Sequence, residues 1–278
     1  MEYLTSDDLR GRETGTEGIE KAAEYIEEAF KKSGIKPYYS IYRDSFEVRE
    51  RTGYNIVGYL EGNDPVLKKE FVVLGAHYDH IGFGKVVNGD SIANGANDNA
   101  AGTVAVMELA KHFAAQKSNK RSMLFILFSA EEMGLTGAKH IASRLKKEEI
   151  DLYAMVNFEM IGVPMKGKDH LAYLTGYEMS NMADKFNEYA GEKVLGFLPQ
   201  AKEYNLFQRS DNYSFYQEFK IPAQTISTFD FTNYEYYHHV SDEMKYMDIS
   251  HMTNLIKSMI PGIKGIANSA EREIKITE

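Results

Sequence analysis

Apolar positions along the chain repeat with two different periods. Over residues 18–33, Ile19, Ala22, Ala23, Ile26, Ala29 and Phe30 return every three or four residues, while Glu20, Lys21, Glu24, Glu27, Glu28 and Lys31 fill the opposite face. That is an amphipathic helix with a solvated outer face, and Gly34 is placed to end it. Residues 38–48 and 54–60 alternate as antiparallel strands do, and Gly62-Asn63-Asp64-Pro65 is a turn. The runs 71–75, 123–128 and 153–158 are apolar almost without a break, as strands covered on both faces must be. Helices are predicted between them, from about 100 to 115 and from the turn at 134–137 to about 147. The later chain predicts a helix over 179–189, a short strand over 223–227, and a closing helix pair over 248–266 interrupted at Pro261-Gly262. Strands alternating with helices predict an α/β fold: three α/β/α layers, with a central mixed, mostly parallel sheet and helices on both faces. Residues 1–16 form a polar entry segment. With no repeat, low-complexity tract or linker-like shift, residues 1–278 are expected to be a single catalytic domain.

Composition narrows the chemistry. Hydrophobic residues make up 43% of the 278, enough for a sizeable core. The net charge is −9 with no Lys/Arg-rich tract, which argues against nucleic acid or an anionic membrane surface as partner. There is no Cys, so disulfides, thiol catalysis and thiolate metal sites are excluded, and any metal must be held by His, Asp and Glu. No apolar run reaches the ~18–20 residues of a membrane span. No signal peptide is visible at Met1, and a trimmed export signal would leave the same picture.

The apolar runs all end in polar groups. The first is followed by His77 and Asp79, the second by Glu131-Glu132, and the third by Glu159. Asp98 stands in a Gly- and Asn-rich loop ahead of the next helix, and Tyr237-His238-His239 with Asp242 follows the strand at 223–227. Open α/β sheets place ligand sites at the carboxyl ends of their strands. Carboxylates crowded there resist ionisation together, a conflict that two divalent cations would relieve. Each group alone has a plainer reading. Glu131-Glu132 could open a solvated helix, Asp98 could cap one, and His238-His239 could be a surface pair.

Taken in order, Gly75-Ala76-His77-Tyr78-Asp79-His80, Gly95-Ala96-Asn97-Asp98-Asn99-Ala100-Ala101-Gly102, Ser129-Ala130-Glu131-Glu132-Met133-Gly134, Asn157-Phe158-Glu159-Met160-Ile161-Gly162 and Tyr237-His238-His239-Val240-Ser241-Asp242 resemble the motifs of the co-catalytic dizinc aminopeptidases. That family shares its fold with glutaminyl cyclases and a glutamate carboxypeptidase. The segments 9–16, 210–211 and 221–223 also fit. The resemblance implies two Zn2+ per chain, one held by His77 and Glu159, the other by Glu132 and His238, with Asp98 bridging. It implies Glu131 as general base on a metal-activated water and Asp79 as the carboxylate orienting His77. The chemistry also calls for a donor to the developing oxyanion, for which Tyr237 is the candidate. His238 is preferred to His239 by its spacing from Asp242. The family more often has Asp where this chain has Glu159, a longer side chain with the same oxygen donors. His80, His112, His140, His170 and His251 are read as structural or surface residues, His80 being close enough to line the site.

The expected activity is therefore a metallo-aminopeptidase, an exopeptidase cutting the N-terminal bond of a peptide with a free amino terminus. A glutaminyl cyclase is the alternative. The absence of Trp counts against it, since cyclases typically place Trp around the substrate. A metal-free binding module is a third reading, opposed by the full ligand set. A carboxypeptidase would need a basic pocket that the sequence does not assign. The resemblance favours a secreted or periplasmic setting. Native metal, side-chain preference and oligomeric state stay open.

Overall fold

A computed structural model describes residues 1–277. Its strands are β1 (Lys36–Pro37), β2 (Arg43–Val48), β3 (Arg51–Leu60), β4 (Glu70–His77), β5 (Phe83–Val87), β6 (Asp90–Ile92), β7 (Ser122–Phe128), β8 (Asp151–Glu159), β9 (Ala172–Leu174), β10 (Leu195–Gly196) and β11 (Ala223–Ser227). The α-helices are α1 (Glu17–Lys32), α2 (Ala101–Gln116), α3 (Thr136–Lys147), α4 (Met182–Ala190), α5 (Pro199–Glu203), α6 (Asn212–Phe219) and α7 (Ile249–Asn268). One sheet runs β1-β3-β7-β4-β8-β11-β9-β10, with β2 also paired to β3, while β5 and β6 form a separate hairpin. The centre, β7-β4-β8-β11, is parallel. The pairings of β3 with β1, β2 and β7, and of β9 with β11, are antiparallel. The sheet is thus mixed: parallel through its middle and again at the β9–β10 edge, antiparallel at its other pairings.

The unbroken apolar runs follow from burial on both faces. Val72, Leu74 and Ala76 of β4, with Met123, Phe125 and Leu127 of β7, turn toward a core shared with α1, α2, α4 and α7. Val73, Leu124, Ile126 and Phe128 turn the other way, toward Ile141, Ala142 and Leu145 of α3 and Phe215 of α6. Successive strand residues point to opposite faces, so a strand between two helical layers must be apolar at every position. Gly102, in the first turn of α2, lets that helix approach β8: a Cβ there would lie 2.4 Å from the Phe158 carbonyl oxygen.

Two expectations change. The closing helix pair is one helix, α7, with Pro261 inside it. An interior proline costs a helix about 3 kcal/mol and leaves a carbonyl without its donor. Here Leu255, Met259, Ile263 and Ile266 are all buried in the core, and Gly262 packs under Phe186, so tertiary packing outweighs the break. Helix α6 was not expected, because its Phe- and Tyr-rich sequence carries weak helix propensity. No helix among the described residues is long and apolar enough to cross a membrane.

Candidate metal centre

The strand order brings the polar strand ends together. His77 closes β4 and is in register with Phe128 at the end of β7, so Glu131 and Glu132 arrive from one side. On the other side Gly75 pairs with Asn157, two residues short of both His77 and Glu159. Ala130 and Met160, flanking these corners, both take left-handed backbone (φ 57° and 48°), as does His238 (φ 54°). Non-glycine residues held there cluster where a site demands a sharp turn.

Asp98 lies at the middle. Its loop is fixed from both ends: Asp242 accepts the backbone N–H of Asn97 (2.8 Å) and of Asp98 (3.0 Å). The Asn99 side chain donates to the Phe158 carbonyl at 2.8 Å and accepts from Gly102 and Met160 N–H. Asp98 Oδ1 stands 3.3 Å from His77 Nε2, which is 3.1 Å from Glu159 Oε1. Asp98 Oδ2 stands 3.3 Å from His238 Nε2, which is 3.0 Å from Glu132 Oε2. The five residues singled out as ligands therefore converge, as two groups sharing one carboxylate. Ser210 donates to Glu159 Oε2 at 2.8 Å and fixes its free oxygen.

Three further residues shape the surroundings of these groups. His80 is fully buried in the site, its Nδ1 3.0 Å from Glu132 Oε1. Two imidazoles three apart on a strand would face opposite ways, but β4 stops at His77, so alternation no longer governs residue 80. Asp79 meets His77 Nδ1 through its backbone carbonyl at 3.1 Å, with its carboxylate at 3.5 Å. That carboxylate also accepts the Glu131 N–H at 3.2 Å, so it anchors the corner carrying Glu131. Arg12, unassigned in sequence, is buried and donates to the carbonyls of Leu4, Tyr78 (2.8 Å), Asn94 (2.6 Å) and Gly95 (3.0 Å). It ties the His77–His80 turn to the Asp98 loop.

The electrostatics are those of crowded, buried groups of opposite charge. Burial alone would raise the Asp98 carboxyl, but His238 and His77 outweigh it and hold it well below the usual range. Burial would lower His77, and Glu159 with its neighbours instead raises it. His238 is raised to about 10 by Asp98 and Glu132. Glu131 is pushed up by burial, with Asp211, Glu159 and Glu132 adding and His77 opposing. Asp98 Oδ2, Glu132 Oε1 and both His80 nitrogens are buried without any hydrogen-bond partner. Orphaned donors that face one another at such a price in burial are what a metal would satisfy. His77, Asp98 and Glu159 form one group able to hold an ion, and His80, Asp98 and Glu132 another.

Beside these groups opens a cavity of about 150 Å³, floored by His77, Asp98, Glu131 and Glu159 and walled by Met160, Leu206, Phe229 and Phe231. Tyr237 and His238 also line it, their rings stacked 4.0 Å apart. Burial raises the Tyr237 hydroxyl, and the surrounding carboxylates raise it further.

Comparison with known proteins shows the fold and the family. Aminopeptidase YwaD of Bacillus subtilis (strain 168) is 30% identical over 145 residues, covering 52% of this chain and 30% of the relative. An aminopeptidase from Aneurinibacillus sp. strain AM-1 superposes with a TM-score of 0.71 at 17% identity, over 99% of this chain and 95% of the other. A Fimbriiglobus ruber glutaminyl cyclase gives 0.71 at 20% identity, over 95% and 92%. At those identities the superpositions establish the fold alone. The chain spans between 22% and 65% of the length of four curated relatives. The sequence pattern of Peptidase family M28 matches residues 55–261, from β3 into α7 and through every strand end that feeds the site, and the chain belongs to that family.

Proposed function

We propose that this chain is a two-zinc aminopeptidase that hydrolyses the first peptide bond of substrates with a free amino terminus. The observation that carries the reading is Asp98: each of its oxygens faces a separate His/carboxylate group, and Glu131 lines the same cavity. His77 and Glu159 would hold one ion, Glu132 and His238 the other, and Asp98 both. Donors of nitrogen and carboxylate oxygen, with no thiolate available, suit zinc.

Zinc in these positions supplies Lewis acidity, lowering the pKa of water and polarising a carbonyl oxygen. The protein does the rest. Glu131, held by the Asp79–Glu131 N–H contact and made basic by burial, takes the proton of the attacking water and passes it to the leaving amine. The apolar wall of Met160, Leu206, Phe229 and Phe231 receives the side chain of the first residue. The floor carboxylates pair with its α-ammonium, which restricts cleavage to chain ends. The Tyr237 hydroxyl, kept protonated by its surroundings and lining the same cavity, would donate to the developing oxyanion.

Leucyl and other aminoacyl arylamides are expected to be cleaved, with turnover lost on chelation and restored by Zn2+. Their N-acetylated counterparts are expected to be inert. Equal cleavage of acetylated and free substrates would contradict the amine-binding role. Release of ammonia from N-terminal glutaminyl peptides without arylamide cleavage would instead select the cyclase alternative, whose fold this chain shares.

Protons compete with the metals. In chelated protein the paired His238 contributes stability that is fully present below its ordinary 6.5 and is lost as pH rises through about 10. Asp98, depressed, contributes above its ordinary 3.8 and loses that contribution as pH falls further. Metal binding removes the histidine proton, so zinc affinity rises with pH. The Tm of zinc-loaded protein minus that of chelated protein should therefore widen from pH 6 to pH 9. A constant or shrinking gap would contradict this coupling.

A further inference from the structure

We propose that His80 is a sixth metal-ligating side chain. It closes the position shared by Asp98, Glu132 and His238 with four protein donors, and leaves the His77–Asp98–Glu159 position three-coordinate and open. This rests on the two-metal reading but goes beyond the five ligands it requires.

The geometry points this way on several counts. His80 is wholly buried, and its Nδ1 lies 3.0 Å from Glu132 Oε1 and 3.8 Å from Asp98 Oδ2. None of these three atoms makes a hydrogen bond. A nitrogen and an oxygen so close without the alignment of a hydrogen bond are placed as co-ligands are. Donors about 2.1 Å from a common tetrahedral ion stand about 3.4 Å apart. The separations among His80 Nδ1, Glu132, Asp98 Oδ2 and His238 Nε2 that the structure gives run from 3.0 to 3.8 Å. The His80 and His238 rings approach edge-on, centroids 5.7 Å apart.

The His80 ring is also held in place. Its backbone N–H donates to the Arg12 carbonyl at 3.3 Å, and the ring sits over Gly95, where a Cβ would come within 2.6 Å of His80 Cγ. Gly95 adopts φ 57° and leaves that space free.

The two positions differ in access as well as in donor number. Every donor of the His77 position lines the cavity, with Glu131, whereas of the second position's donors only the shared Asp98 and His238 line it, and His80 and Glu132 do not. A position with four protein donors is the mark of a structural metal, and one with three plus an open place is the mark of a catalytic metal. The His80 position therefore binds first and tightly, and the His77 position binds second and faces the substrate.

The test is stepwise Zn2+ titration of the chelated full chain against a competing chromophoric chelator, alongside Co2+ loading followed by absorption and proton NMR. Wild type is expected to fill in two steps. His77→Ala should lose the weaker step and keep the tighter. His80→Ala should weaken the tighter step by more than the 10–100-fold that losing an outer hydrogen-bonding partner costs. In Co2+-loaded wild type, three histidine N–H signals should show large paramagnetic shifts. That readout needs no variant to fold. A tight step unchanged within about threefold in His80→Ala, or two shifted histidine signals, overturns the proposal. A 10–100-fold loss with an unchanged Co2+ absorption spectrum also overturns it and makes His80 a positioning partner of Glu132. Wild type that binds no metal overturns the two-metal reading itself.

Discussion

Glu131→Ala is expected to lower kcat by about 10²–10⁴-fold while metal content stays at the wild-type value. Glu131 belongs to neither donor group, so removing it takes away no ligand. Its carboxyl is raised by burial and by neighbouring carboxylates, which means that its charged form is held at a cost in free energy. The variant should therefore be at least as stable as wild type, with Tm equal or slightly higher. Glu131→Gln, which keeps the shape and loses the base, should be equally slow. Elemental analysis, melting and arylamide kinetics on one preparation separate the cases. Full activity in either variant would remove Glu131 as the base, and loss of metal together with activity would make it structural.

Arg12→Ala is expected to destabilise the protein by about 3–5 kcal/mol, the cost of taking one member from a buried charged network. Four backbone carbonyls lose their donor, from Leu4, Tyr78, Asn94 and Gly95. The guanidinium, lowered to about 10 by burial, remains charged at neutral pH, a charge that Asp242, Asp79, Asp98 and Glu132 favour from a distance. For a chain of this size the loss corresponds to a Tm drop of roughly 10 °C. Arg12→Lys should fare little better, because one ammonium cannot reach carbonyls from separate segments as a planar fork does. Zinc affinity should fall in both, since the clamp joins the His77–His80 turn to the Asp98 loop. A Tm within about 3 °C of wild type would contradict the clamp.

Much of this was legible in the sequence because burial on both sheet faces writes itself as unbroken apolar runs. The central strands are found where 71–75, 123–128 and 153–158 placed them, longer by one residue in β7 and by three in β4 and β8. His77, Glu132 and Glu159 stand out because polar residues closing a buried strand gather at the sheet's carboxyl edge, whereas the ligand roles, those of Asp98 and His238 above all, come from the motif resemblance. What stayed hidden depends on contacts between distant segments. Nothing local in Arg12 says that its partners lie 66, 82 and 83 residues away. Asp242 served only as a spacing mark for His238, yet it holds the Asn97 and Asp98 backbone from 144–145 residues along the chain. His80 reads in the sequence as a structural or surface residue near the site and not as a ligand, because the point at which β4 ends cannot be read to the residue. Pro261 misled because local propensity knows nothing of the core that α7 covers.

The central claim is that this fold gathers its strand-end carboxylates and imidazoles around two ions. Zinc content per chain, measured by elemental analysis after gentle purification, zinc re-addition and desalting, tests it most directly. Two zinc ions per chain are expected, and near zero in Asp98→Ala, which removes the carboxylate common to both groups. One ion or none in the wild-type protein, or an Asp98→Ala protein that keeps both, would contradict it.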